Sequence, residues 1–120
     1  MGIAEQLTEI YEKEEWWHKA RMSHEQAIRY HDSEYSKGNI YVYKEDGEVL
    51  GYYQRAFNDD KCFLMNVWVK RKGIFKKLYR HFFDTMPDNI KKVYGEKQSI
   101  GGKYIERIIT RGRYGKHEDF

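Results

Sequence analysis

The hydrophobic period of this chain switches at one glycine, and that switch constrains the fold more than any other feature. Residues 67–83 read VWVKRKGIFKKLYRHFF. The segment passes from the end of an apolar strand, through a basic turn containing Gly73, into an amphipathic helix. After the glycine, Ile74, Leu78 and Phe82 recur every fourth position, and Phe75, Tyr79 and Met86 widen the stripe. A turn that feeds a helix this directly leaves the first helical N–H groups without partners in the helix, with the positive end of the helix dipole behind them. That geometry holds phosphate or pyrophosphate well. Lys70, Arg71 and Lys72 before the glycine, and Lys76, Lys77 and Arg80 after it, add side-chain charge. A strand–helix junction with a solvated basic face has the same residues, so the surrounding elements have to decide.

Upstream, residues 3–20 read as a helix, with Leu7, Ile10, Tyr11, Glu14 and Trp17 along one side. Ser23 with Gln26 three residues on forms a capping box for a second helix, from about His24 to Tyr35, that stops at Gly38. Ala27, Tyr30 and Tyr35 are its expected packed residues. The period then becomes two. Ile40 and Val42 alternate with Tyr41 and Tyr43, Asp46-Gly47 is a hairpin turn, and Glu48–Phe57 returns as the partner strand. Asn58-Asp59-Asp60 turns the chain into a third strand, Lys61–Lys70, whose nearly unbroken apolar run predicts cover on both faces. Pro87 ends the helix after Gly73, and Ile90–Gly95 is a short strand expected to lie parallel to the third. Residues 101–110 suit a short helix or a strand equally.

The length of 120 residues predicts a single domain over residues 1–114 with a fraying tail at 115–120. Charged residues make up 34% of the chain and the mean hydropathy is -0.95. No apolar run approaches the ~20 residues that span a bilayer. The acidic, amphipathic start is unlike a secretory signal, and Gln6 breaks the myristoylation pattern after Gly2. The single cysteine, Cys62, excludes an internal disulfide and fits a reducing cytoplasm. The net charge of +3 hides an asymmetry. Residues 1–60 carry a net charge of −6 and residues 61–120 a net charge of +9, so an anionic ligand is expected on the second half.

The order α-α-β-β-β-α-β with a short element after it, and a phosphate-binding turn between the third strand and its helix, resembles the GNAT family of acyl-CoA N-acyltransferases. Arg71-Lys72-Gly73-Ile74-Phe75 stands where that family carries Arg/Gln-x-x-Gly-x-Gly/Ala, and NIYVYKEDGEVLGYY is similar to its first hairpin. The likeness covers roughly Gly38 to Tyr94. Two departures are plain: Gly73 follows Arg71 by two residues rather than three, and Phe75 replaces a small residue. The resemblance implies an α+β (α/β) domain with a mixed, mostly antiparallel sheet and helices on both faces. It implies acetyl-CoA as acyl donor and an amine as acceptor, either a small molecule or a protein lysine. It also implies cofactor contacts from Val67, Val69, Arg71, Lys72, Gly73, Ile74, Phe75 and Lys76. The pantetheine arm would enter a wedge between Val67–Val69 and Val93–Gly95, with the pyrophosphate on the amides from Lys72 to Lys77. Tyr104 falls where the family places a Tyr acid, Glu96 is a candidate base, and Asn66 a candidate substrate contact. As ordinary surface or packing residues these three need no such role.

Other chemistries find less support. His24 and His31 are seven apart with no third metal ligand in view, Cys62 opens a strand as a core residue, and Ser23 is a cap. Trp16-Trp17 fits either a ligand surface or packing of the first helix. Asp32, Glu34, Glu45, Asp59 and Asp60 would suit an acidic rim attracting an amine, or plain solvated surface. Two readings compete with catalysis. One is a binding protein of the same fold, of phage or mobile-element origin, acting on a protein partner. The other is nucleic-acid binding through Lys70–Arg80 and the RGRYGK tail, where cations interleave with aromatics.

Overall fold

Ser23 fixes where the second helix begins. Its hydroxyl accepts from the Gln26 amide at 3.1 Å and the Gln26 side chain accepts from the Ser23 amide at 2.9 Å, closing the expected capping box. The computed structural model describes residues 1–13 and 22–95, and the backbone of 99–100, 103–104 and 107–110. Its elements are α1 (Ile3–Lys13), α2 (His24–Ser36), β1 (Ile40–Glu45), β2 (Glu48–Asn58), β3 (Lys61–Val69), α3 (Ile74–Asp84), β4 (Lys92–Gly95), β5 (Ser99–Ile100), β6 (Lys103–Tyr104) and β7 (Arg107–Thr110). Residues 14–20 of the expected first helix, with Trp16 and Trp17, lie outside the described residues. So do Glu96 and the RGRYGK tail.

The protein is α+β, built on a mixed sheet ordered β1-β2-β3-β4-β7, with β5 beside β3 and β6 beside β5. The first three strands form the expected antiparallel meander. Asp46 at φ 50° and Gly47 at φ 80° make the first turn, the paired left-handed conformation that matches the twist of a two-residue hairpin. The helix α3 carries the chain over to β4, which lies parallel to β3. Residues 103–104 and 107–110 are strands, which settles the ambiguity of residues 101–110 in favour of the sheet where the backbone is described.

As its apolar run requires, β3 is the central strand with a core on each face. On one side Leu50, Tyr53, Cys62, Leu64, Val67 and Val93 pack against Ile74, Leu78, Phe82 and Met86, and Phe75, Tyr79 and Val69 border them. On the other, Leu7 of α1 packs on Ile40, Val49 and Tyr52, bordered by Ile10 and Trp68. Gly51 lets α3 sit close to β2, because a Cβ there would come within 2.6 Å of Ile74 Cγ2.

The buried face of α2 differs from the expected one. Ala27 and His31 are buried, whereas Tyr30 is 36% and Tyr35 38% exposed. Positions 27 and 31 stack on one face at i, i+4, and His31 can be buried because its Nδ1 lies 2.9 Å from the Thr8 hydroxyl of α1. A ring nitrogen with a partner tolerates burial that a lone one does not.

Candidate functional site

At Val69 the chain leaves the sheet and enters the basic turn. Gly73 has ordinary right-handed helical geometry (φ −60°, ψ −19°), and a Cβ built on it would meet nothing within 4 Å. The fold itself therefore does not demand glycine at this position. The Ile74 amide donates to the Arg71 carbonyl at 3.2 Å and the Phe75 amide to the Lys72 carbonyl at 3.1 Å. Two of the amides expected to face pyrophosphate therefore already donate within the turn. The Ile74 side chain is buried in the core, and Phe75 is half-buried with its ring stacked on Tyr79 at 5.5 Å.

Side-chain charge is better placed than backbone. Lys72, Lys76, Lys77 and Arg80 are exposed, and Lys77 Nζ lies 5.3 Å from the centre of the Tyr43 ring. Lys70 is bonded to Glu48, and Arg71 stands 3.9 Å from the Glu45 carboxylate. The charge asymmetry of the sequence is thus partly cancelled where the acidic β1–β2 hairpin meets the basic turn. The five acids considered for a rim do not assemble. Asp59 and Asp60 form the β2–β3 turn, at the other end of β3 and about 30 Å along the strand from the basic turn. Glu34 accepts from Gln54 at 2.9 Å and from Asn39 at 3.2 Å.

The register of the sheet leaves Val67–Val69 and Val93–Gly95, the two stretches flanking the expected wedge, unpaired with each other. Val93–Gly95 pair with Cys62–Leu64, not with Val67–Val69, and the next described neighbour of β3 on that side is Ser99, opposite Trp68. Val67 is buried in the core and Val69 borders it. A bulge between Asn66 and Leu64 leaves Met65 as the extra residue against Gln54 and Arg55. Bulges of this kind interrupt a ladder and re-aim side chains, often beside active sites. The Asn66 side-chain amide donates to Gln54 Oε1 at 3.0 Å, so it has a partner within the sheet. Tyr104 pairs with Ser99, which pairs with Trp68, so the backbone places Tyr104 two strands from the bulged strand, about 10 Å away.

Two polar clusters escaped the sequence reading. Gln54, buried, donates to the Tyr30 hydroxyl at 2.6 Å as well as to Glu34. Arg55, also buried, donates through Nη1 to the Phe82 carbonyl at 3.0 Å and through Nη2 to the Thr85 hydroxyl at 2.9 Å. It therefore caps the C-terminal end of α3, where carbonyls lack helical partners and the dipole favours a cation. Beside it the Tyr53 hydroxyl lies 2.8 Å from His81 Nδ1, and the His81 ring stacks on Tyr41 at 3.5 Å. Burial and then Arg55 hold the His81 pKa below the usual imidazole value. Adjacent polar residues at 54 and 55, in a strand otherwise rich in apolar side chains, were the available signal. The remaining candidates are structural. Cys62 is fully buried and burial pushes its thiol up to about 11, which suits a core residue. His24 pairs with Glu12 at 2.9 Å while His31 faces Thr8, and among the described residues no group of three or more His, Cys, Asp or Glu could hold a metal ion.

Family models, curated proteins and solved structures were compared with this chain, and none matches it. No helix of the described residues is long and apolar enough to cross a membrane.

Proposed function

We propose that this chain is a small N-acyltransferase of the GNAT type that takes an acetyl group from acetyl-CoA and gives it to an amine. One observation carries the reading. A central strand with a parallel neighbour leaves the sheet into a turn bearing Arg71, Lys72 and Gly73 and opening a helix, and the element order around it is the one such enzymes share. The bulge at Met65 and the end of β4 at Gly95 support it, because both interrupt pairing along β3. Pyrophosphate would be held chiefly by the side chains of Arg71, Lys72 and Lys76, since the Ile74 and Phe75 amides are engaged. Gly73, free of any demand from the fold, leaves room for a ligand to approach the backbone.

The chemistry asks little of the protein beyond position. The amine nitrogen attacks the thioester carbonyl carbon, the C–N bond forms and the C–S bond breaks, and the proton lost by nitrogen ends on the departing sulfur. In this reading Tyr104 gives a proton to the thiolate and Glu96 takes one from the amine. Acetyl-CoA or CoA at millimolar concentration should raise the melting temperature, because a ligand that binds only the native state stabilises it by mass action. Gly73→Asp should abolish the rise by placing a carboxylate at the anion site. A melting curve unmoved by both ligands would sink the proposal.

The engaged amides and Phe75 favour a second reading, a non-catalytic binding protein with the same fold and a protein partner. A stoichiometric partner together with no acetyl transfer would decide for it. Nucleic-acid binding through Lys70–Arg80 and the RGRYGK tail is the least supported reading, since Lys70 and Arg71 face acidic neighbours. It requires a gel shift that weakens steeply with salt.

A further inference from the structure

We propose that two copies of this chain pair through β1, edge to edge and antiparallel, about a two-fold axis at Val42. This inference does not rest on the transferase reading. β1 ends the described sheet, with β2 as its one described neighbour. Alternation along the strand fixes which backbone groups that neighbour uses. The Arg55 amide donates to the Asn39 carbonyl at 2.9 Å, Tyr41 stands opposite Tyr53, and Glu45 opposite Glu48 closes the turn. Asn39, Tyr41, Tyr43 and Glu45 therefore aim their N–H and C=O groups at β2, while Ile40, Val42 and Lys44 aim theirs outward. Among the described residues, nothing bonds to those outward groups. A bare edge of this kind is a template for another strand.

The edge fits a second copy of itself. With Val42 opposite Val42 of the other copy, Ile40 falls opposite Lys44 and Lys44 opposite Ile40. Every outward residue then exchanges both backbone bonds with its partner. A shift of two residues either way leaves one outward residue of each chain unpaired. The same register sets Tyr41 opposite Tyr43 of the other copy, at the non-hydrogen-bonded positions where facing side chains come closest. Both rings lie on the α3 face and both are already held. Tyr41 stacks on His81 at 3.5 Å, and Tyr43 donates to Glu45 at 2.7 Å with Lys77 Nζ 5.3 Å from its ring centre. Pairing therefore has little further ordering to impose on them. Charge agrees with the register, since Lys44 meets Ile40, Glu45 meets Asn39, and no like charges stand opposite each other. β1 has no proline, and its one lysine, the usual guard of an edge, meets no second cation in this pairing. The two-fold axis makes the contact closed, so pairing stops at two copies.

The test follows amide hydrogen exchange of the full chain by NMR from micromolar to millimolar concentration, with sedimentation of the same samples. The Tyr41 amide should be protected throughout by β2. The Val42 and Lys44 amides should exchange fast when dilute and slow by about tenfold or more when concentrated, as the average mass rises toward that of two chains. Lys44→Pro, at an exposed position, removes one outward donor and no bond to β2. It should melt as the parent does and stay a single chain over the same range. If that variant fails to fold, the exchange of the parent decides alone. Four results would overturn the inference. These are a single-chain mass at millimolar concentration, association that leaves Val42 unprotected, Val42 protection that dilution does not relieve, and a folded Lys44→Pro that associates like the parent. The third would mean that the edge is covered within one chain.

Discussion

The face of the sheet covered by α3 and the face covered by α1 and α2 are held by different kinds of contact. Among the described residues, 12 buried residues form one cluster under α3, against 4 on the opposite face. Polar contacts make up part of the difference on the α1/α2 side: Thr8 with His31, Gln54 with Tyr30 and Glu34, and Gln6 with the hairpin. Apolar burial is non-directional and stabilises in proportion to area, whereas buried polar pairs contribute little net energy but fail badly when one partner is lost. Stability should therefore sit mostly on the α3 face, and sensitivity to solution conditions on the other.

The largest effect should come from the α3 face. Leu78 is fully buried, and Leu78→Ala should cost about 3–5 kcal/mol in denaturant unfolding. Leu7, equally buried, should cost nearer about 2 kcal/mol as Ala, because α1 can settle toward the cleft between it and the β1–β2 turn. Equal costs at the two positions would break the comparison.

The next effect belongs to the opposite face and to pH. His31 is 3% exposed, and burial lowers its pKa from 6.5 to about 4. The unfolded chain takes up a proton near pH 6.5 that the folded chain refuses until about pH 4, so this contribution is complete above that window and declines as pH falls through it. The loss should reach about 2 kcal/mol at pH 5 and about 3 kcal/mol below pH 4. His31→Gln keeps a polar partner for Thr8 and cannot titrate, so it should flatten the stability–pH curve between those limits. An unchanged slope would remove His31 as its source.

These two expectations also mark what the sequence allowed to be read. The core of α3 was legible because Ile74, Leu78 and Phe82 keep strict helical spacing, and the β1–β2 turn because Asp-Gly tolerates positive φ. The capping box at Ser23 was equally plain. Tyr30 was expected in the core in place of His31, because an isolated helix pattern does not show that Thr8, twenty-three residues away, supplies a ring nitrogen with its partner. Arg55 was illegible for the same reason: its justification is the end of a helix thirty residues downstream. At the candidate site, the junction and its charges could be read from residues 67–80. The register of β4, the hydrogen bonds of the Ile74 and Phe75 amides, and the acids facing Lys70 and Arg71 could not, because each depends on long-range pairing or backbone geometry.

A smaller effect separates binding from folding at the turn. Arg71→Ala with Lys76→Ala should weaken CoA binding, each lost charge-assisted contact costing about 1.5–3 kcal/mol before solvent screening reduces it. Both side chains are exposed, so the melting temperature of the free protein should hardly move. Should the double variant bind CoA as tightly as the parent by calorimetry, the pyrophosphate is not on this turn.

The smallest expected change in stability is at Gly73, and it is the most informative about why the residue is there. At a position with helical φ and ψ and open space around the missing Cβ, alanine should alter stability by no more than about 0.5 kcal/mol. Gly51→Ala provides the contrast within the same molecule, because its added methyl would press on Ile74 and Leu78 and should destabilise by about 1–3 kcal/mol. At Gly51 the core accounts for the glycine. At Gly73 no side-chain contact among the described residues does; under the proposed function, a ligand that approaches the backbone closely enough to be obstructed by one methyl group would supply a reason. Gly73→Ala should therefore fold as the parent does while losing affinity for CoA, measured by the same calorimetry. If it folds and binds CoA like the parent, no ligand lies against the backbone of residue 73, and the anion is held by the surrounding side chains alone.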